Sequence, residues 1–261
     1  MHLKPKKSLG QNFLVDKNIQ RKIINACELK PSDNVLEIGA GRGELTRLIT
    51  DNVDKVYALE IDKYLCRILQ DNLKGYSNIK IINQDILTFN LKKHFRKLKN
   101  KIKVIGNIPY YITTSIIEHL LRFRDKVDAV FILVQKEFAA RITATPGSKD
   151  YGSFSCFVQY YTTAKKLFFI KKTCFHPIPK VDSAFLLLKI NHEPQIKTKN
   201  ERLLFKIIRA AFNKRRKTLR NSLKGVISQQ RLGVFFNKYN IDRNTRPEDL
   251  SLSDFANLIN T

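Results

Sequence analysis

The chain has no tryptophan and a single methionine, and its acids are scarce, 23 Asp and Glu against 48 Lys and Arg in 261 residues. Without tryptophan it lacks a main residue of membrane-interface belts, and no apolar run reaches the roughly 20 residues that a spanning helix needs. Its four cysteines, Cys27, Cys66, Cys156 and Cys174, stand far apart with no C-x-x-C pair. That spacing encodes neither a zinc site nor a disulfide framework, so no metal site is expected. Long low-complexity tracts are missing as well. The amino terminus, MHLKPKKSLGQNFL, carries charge but no apolar core or small-residue cleavage site, as in a protein that stays in the cytoplasm.

What the chain has in excess is positive charge, a formal net +25. A field of that size draws in polyanions, and nucleic acid is the first candidate. An AT-rich genome, which raises Lys, Ile and Asn without functional cause, is the competing account. With 43% hydrophobic and 27% charged residues the composition is that of a folded globular protein, large enough for one domain or one and a half.

From Asn34 to Ile190, short β-branched runs alternate with amphipathic stretches, the rhythm of an α/β fold with a mostly parallel sheet. Seven strands are expected, at Asn34–Gly39, Lys55–Ile61, Ile79–Gln84, Ile102–Asn107, Ala129–Gln135, Lys166–Lys171 and Ser183–Ile190. The last two have no helix between them and read as an antiparallel pair at the end of the sheet. The segment NHEPQIKTKN reads as a linker, and beyond it the spacing of Leu204, Ile207, Ile208, Ala211 and Phe212 predicts a helix. Leu219, Leu223 and Val226 extend or renew that face. The expected domains are residues 1–190, an α/β nucleotide-cofactor domain, and 191–261, a small all-helical domain.

NVLEIGAGRGELT runs from a strand through a glycine-rich turn into a helix. Gly39, Gly41 and Gly43 permit a tight turn and close approach of an adenosyl cofactor to the backbone. Glu44 replaces the third glycine of the dinucleotide fingerprint, which argues against a pyrophosphate and tolerates a cationic sulfonium. Glu60 ends the next strand, 21 residues after Gly39, where a carboxylate accepts from ribose hydroxyls. Asp85 ends the third, placed to accept from an adenine amine. The competing reading is that both acids merely cap helices. The fourth strand ends in Asn107-Ile108-Pro109-Tyr110. There the Asn107 side-chain oxygen and the Ile108 carbonyl would accept the protons of a nucleobase amine, and Tyr110 would stack on the base. Such a site needs no dedicated base, because a methylated cationic amine is itself a strong acid.

Together SLGQNFL, LEIGAGRGELT, LEID, NQDIL, GNIPYYITT, PGSKDYG and FHPIPKVDSAF resemble the KsgA-type ribosomal RNA adenine N6-dimethyltransferases over nearly the whole chain. The Erm-type enzymes of the large subunit belong to the same superfamily. The resemblance implies a Rossmann-like seven-stranded methyltransferase domain with a helical C-terminal domain, using S-adenosylmethionine. It further implies dimethylation of two adjacent adenosines near the 3′ end of small-subunit ribosomal RNA, by a monomer acting on RNA or an immature small subunit. Position by position, Gln11, Asn12 and Leu14 match the segment that closes over the cofactor, and Gly39, Glu60 and Asp85 match cofactor contacts. Asn107 matches a residue between cofactor and amine, while Tyr110 and Phe175 match the rings that sandwich the adenine. Beside two prolines, Phe175 reads equally as a core plug. Tyr111 departs from the Asn that many relatives carry. An Erm-like enzyme and a non-catalytic assembly factor are the alternatives.

The densest basic stretch is FNKRRKTLRNSLK, with Lys206, Arg209, Asn213, Arg216 and Arg220 on one expected helical stripe, and HFRKLKNKIK is a second. If these side chains hold phosphates, RNA affinity falls by on the order of a thousandfold between 50 and 200 mM salt, for about six contacts. Filter binding across that range measures it, and a level affinity removes the electrostatic account.

Overall fold

The computed structural model describes Lys6 and residues 9–191, 193–194, 196–214 and 217–261; Ser8, and Arg216 of the expected stripe, lie outside them. The strands are β1 (Phe13–Leu14), β2 (Asn34–Ile38), β3 (Lys55–Glu60), β4 (Ile79–Asn83), β5 (Ile102–Asn107), β6 (Val127–Gln135), β7 (Thr162–Ile170), β8 (Phe175–His176) and β9 (Ser183–Ile190). Two compact units are formed, Met1–Ala139 with Lys165–Ile190, and Ala140–Ala164 with Asn191–Thr261.

In the first unit a seven-stranded sheet runs β4-β3-β2-β5-β6-β9-β7. The pairs among β2, β3, β4, β5 and β6 are parallel, and β9 lies antiparallel on β6. β9 and β7 sit together at one end of the sheet, without an α-helix between them. β2 is buried at all five positions, as a central parallel strand covered on both faces must be. Val35, Val56, Ile105 and Phe131 form one core with Ile23, Ile49 and Phe185. The flanking helices begin where a side chain can satisfy their free amides. Asp16 caps Lys17–Ala26 and Asp62 caps Lys63–Asn72.

The order of the strands matters most for function. From β2 the chain steps outward to β3 and β4, then returns to place β5 on the other side of β2. Ile38 pairs with Gly106, so the glycine turn after β2 and the Asn107 end of β5 open side by side at the carboxyl edge. That is the switch point where open α/β sheets bind ligands.

A second sheet escaped the sequence reading. β1 and β8 pair antiparallel, Phe13 with His176 and Leu14 with Phe175. Strands of two residues carry no periodicity, and one of these stands beside a proline.

In the second unit, Glu201–Phe212 is helical, and Leu204, Ile207, Ile208, Ala211 and Phe212 are all buried. Phe205 packs edge-on against Phe157 and Tyr160 of the helix Ser153–Tyr161. The Tyr161 hydroxyl donates to Glu201 Oε1 at 2.5 Å. Two expectations fail here. Leu219 and Leu223 are buried but Val226 is 38% exposed, because the helix Leu219–Ser222 is a single turn and Gly225 reverses the chain at φ +83°. The basic stripe is broken for the same reason: Lys206 and Arg209 are exposed on the longer helix, whereas Arg220 sits on the short one with its Nε donating to Gln229 Oε1 at 2.7 Å.

Glu37 lies inside β2 at 2% exposure, and among the described residues its Oε2 has no hydrogen-bond partner. Burial, with the nearby charges of Glu44 and Glu60, pushes its carboxyl up from 4.5 to about 8. Between those values the folded chain holds a proton that the unfolded chain has released, so stability falls as pH rises through this window and levels above it. Urea denaturation from pH 4.5 to 8.5 is expected to show this slope, at most about 1.4 kcal/mol per pH unit. Glu37→Gln is expected to flatten it.

Candidate active site

The cleft at the switch point is assembled from strand ends. Gly39 and Gly41 follow β2 with φ of +75° and +60°, a conformation side chains disfavour. A Cβ on Gly39 would lie 3.0 Å from the Asn107 carbonyl oxygen, so any larger residue would crowd the end of β5. Phe13 covers the turn from above, since a Cβ on Gly41 would stand 3.4 Å from its ring. The Arg42 guanidinium rests 5.1 Å from the centre of the same ring.

Glu60, at the end of β3, is 5% exposed, and its two oxygens accept from the Gly41 and Asp62 amides, each at 2.9 Å. Burial raises its pKa, while those two amides oppose the shift. Each carboxylate oxygen retains acceptor capacity toward the cleft. Asp85 follows β4, where Oδ1 accepts from the Leu87 amide at 2.9 Å. It therefore caps a short turn and lines the cleft at once.

The Asn107 amide is oriented by the amino-terminal segment: Nδ2 donates to the Asn12 carbonyl at 2.9 Å. No donor among the described residues reaches Oδ1, which is left as the accepting end. The Ile108 carbonyl stands next along the turn, and the Pro109 carbonyl is taken by the Ile112 amide at 3.3 Å. The Tyr110 hydroxyl meets Ser183 Oγ at 2.5 Å, and burial raises its pKa. The segment before Asn12 is tethered to the sheet edge. Lys6 Nζ pairs with Asp62 at 2.9 Å, and Gln11 Nε2 donates to the same carboxylate at 3.3 Å.

Of the residues singled out in the sequence, Gln11, Asn12, Gly39, Gly41, Glu60, Asp85, Asn107, Ile108, Pro109 and Tyr110 all line this one cleft. Leu14 and Phe175 do not. They are 4% and 1% exposed and pack in the core with Ile23 and Phe185. Of the two readings of Phe175, ring over a base or core plug, its burial favours the second: β8 pairs with β1 and the ring lies in the core. Sequence reasoning missed Phe13, Ser183 and Asp62. All three sit in stretches that carried the resemblance, yet each acts through a partner far away in the chain, which no local pattern reveals.

Comparison with known proteins agrees with this geometry. A family model described as ribosomal RNA adenine dimethylase matches residues 2–261. The chain belongs to the ribosomal RNA adenine dimethylase family. Among curated proteins, it is 42% identical to the ribosomal RNA small subunit methyltransferase A of Alkaliphilus metalliredigens, over 97% of this chain and 90% of that one. The protein of the same name from Streptococcus thermophilus is also 42% identical, with the same coverage. Two crystal structures share the fold at 25% identity. A dimethyladenosine transferase from Plasmodium falciparum superposes with a TM-score of 0.79, covering 94% of this chain and 95% of that one. The 23S rRNA methyltransferase ErmE gives 0.76, covering 95% and 98%. Membership accounts for the Rossmann-like sheet. Among the described residues, no helix is long and apolar enough to cross a membrane.

The dimethylase cleft makes a specific demand on Gly39. Gly39→Ala is expected to cost about 1–3 kcal/mol in urea denaturation, from the strained φ and the crowding against Asn107. Gly75→Ala, whose Cβ meets nothing within 4 Å, is expected to stay within about 0.5 kcal/mol.

Proposed function

We propose that this dimethylase transfers methyl groups from S-adenosylmethionine to the N6 amines of two adjacent adenosines near the 3′ end of 16S ribosomal RNA. The observation that carries the reading is the Asn107 amide, held by the Asn12 carbonyl so that Oδ1, which no donor among the described residues reaches, is the accepting end.

The residues present suit the cofactor. Glu60 offers acceptors for ribose hydroxyls, Asp85 an acceptor for an adenine amine, and the glycine turn lets the backbone come close. Gln11, Asn12 and Phe13 border the same space, and Leu14 anchors their segment in the core. When bound, the cofactor supplies an electrophilic methyl group on a sulfonium.

The chain's own part is to prepare the nucleophile. An adenine amine is weakly nucleophilic because its lone pair is delocalised into the ring. Accepting its two protons at Asn107 Oδ1 and the Ile108 carbonyl favours a pyramidal nitrogen with the lone pair toward the donor. Pro109 stiffens the turn that sets those acceptors, and Tyr110, locked by Ser183, presents its ring to the base. Rate enhancement then comes chiefly from alignment, and the departing proton passes to water.

Small-subunit RNA is preferred as substrate because the full-length relatives at 42% identity are named for the small subunit. An Erm-type action on large-subunit RNA is the second reading, supported by the likeness to ErmE. We read the protein as a cytoplasmic monomer whose residues 1–190 carry the chemistry, with 191–261 holding RNA or an immature small subunit through exposed Lys and Arg.

Incubation of immature small subunits and of large subunits with labelled donor, followed by mass mapping, tests the assignment. Two adjacent dimethylated adenosines in 16S RNA are expected, and label confined to large-subunit RNA would overturn it. Asn107→Ala is expected to lower kcat about a hundredfold or more, with RNA affinity changed by less than about twofold.

A further inference from the structure

Two consecutive tyrosines end the clamp, and the structure treats them differently. Tyr110 is half-buried and held through its hydroxyl by Ser183 at 2.5 Å. Tyr111 is 66% exposed, the highest among the large apolar side chains of the described residues, and it lines the same cleft. The two lie in one 3₁₀ turn, Tyr110–Ile112, whose geometry turns successive side chains about 120° apart. One ring can therefore face the interior of the cleft while the next stands at its mouth.

Tyr111 is backed rather than loose. A Cβ on Gly10 would lie 3.1 Å from its Cε1 and 3.3 Å from its Cδ1, so the tethered amino-terminal segment supports the ring on one side. Its hydroxyl has no partner among the described residues. A ring that is supported, mostly exposed and unused in the core contributes little to folding and leaves an aromatic surface free for contact.

We propose that Tyr111 stacks on the nucleotide next to the target adenine, taking the place that the extruded base leaves in the strand. Drawing a base into the cleft exposes one face of its neighbour, and covering that face by an aromatic ring recovers part of the lost stacking. This inference rests on the proposed function, since it requires RNA with an adenine drawn into the cleft.

The test uses a small-subunit RNA fragment bearing the adenosine pair, with 2-aminopurine at the flanking position. Wild-type protein and Tyr111→Phe are expected to quench the probe by stacking, and Tyr111→Ala is not. On immature small subunits, Tyr111→Ala is expected to raise the KM for RNA about tenfold, with kcat within about threefold. Affinity for S-adenosylhomocysteine by calorimetry, within about twofold of wild type, shows that the cleft itself is intact. Equal quenching and equal KM in Tyr111→Ala would overturn the inference. Failure of the proposed function reads differently: the wild-type protein then methylates neither adenosine of the pair, and the inference falls with it.

Discussion

A contact between two strand ends governs this molecule: Gly39, after β2, lies so close to the Asn107 carbonyl that a Cβ there would crowd its oxygen at 3.0 Å. The contact exists because strand order reverses between β2 and β5, leaving their carboxyl ends adjacent with no helix crossing the gap. The glycine turn and the turn that begins at Asn107 thereby meet, although Asn107 lies 68 residues after Gly39 in the chain. In the proposed reaction these two adjoining turns would set the positions of donor and acceptor, so that alignment supplies most of the catalysis.

Around that contact the protein spends buried polar groups. Glu60 is desolvated, and two backbone amides compensate by binding its oxygens. Asp62 caps a helix with one face of its carboxylate and tethers Lys6 and Gln11 with the rest, so its carboxyl is held below the ordinary range despite burial. Through Gln11 and Asn12 that tether ends at the Asn107 amide. Ion pairs at an exposed edge contribute little to stability, but this one limits where the segment over the cleft can go. At Glu37 burial dominates: it outweighs the opposing Thr46 side chain, and the charges of Glu44 and Glu60 add to it.

Much of this was legible in the sequence. β-branched runs announce the central strands because a parallel sheet covered on both faces admits little else, and Gly39, Glu60, Asp85 and Asn107 follow from standing at the ends of such runs. Phe175 was legible as a large ring in a stiff loop, and nothing local told whether it faces cleft or core. The answer came from β1, whose Leu14 lies 161 residues earlier in the chain and pairs with Phe175 of β8, with the ring in the core. Val226 and Arg220 were misplaced because helical spacing was extended across a break that Gly225 and a single-turn helix impose.

By itself, then, the sequence determined the class of fold, the strand ends that line the cleft, and the surplus of positive charge. These follow from local propensity, burial pattern and composition, which act within a few residues of each position. Tertiary structure alone decided that Asn12 orients Asn107, that Ser183 locks Tyr110, and that Phe175 belongs to the core. Those outcomes depend on hydrogen bonds and packing between segments distant in the chain, and no periodicity within either partner encodes the other.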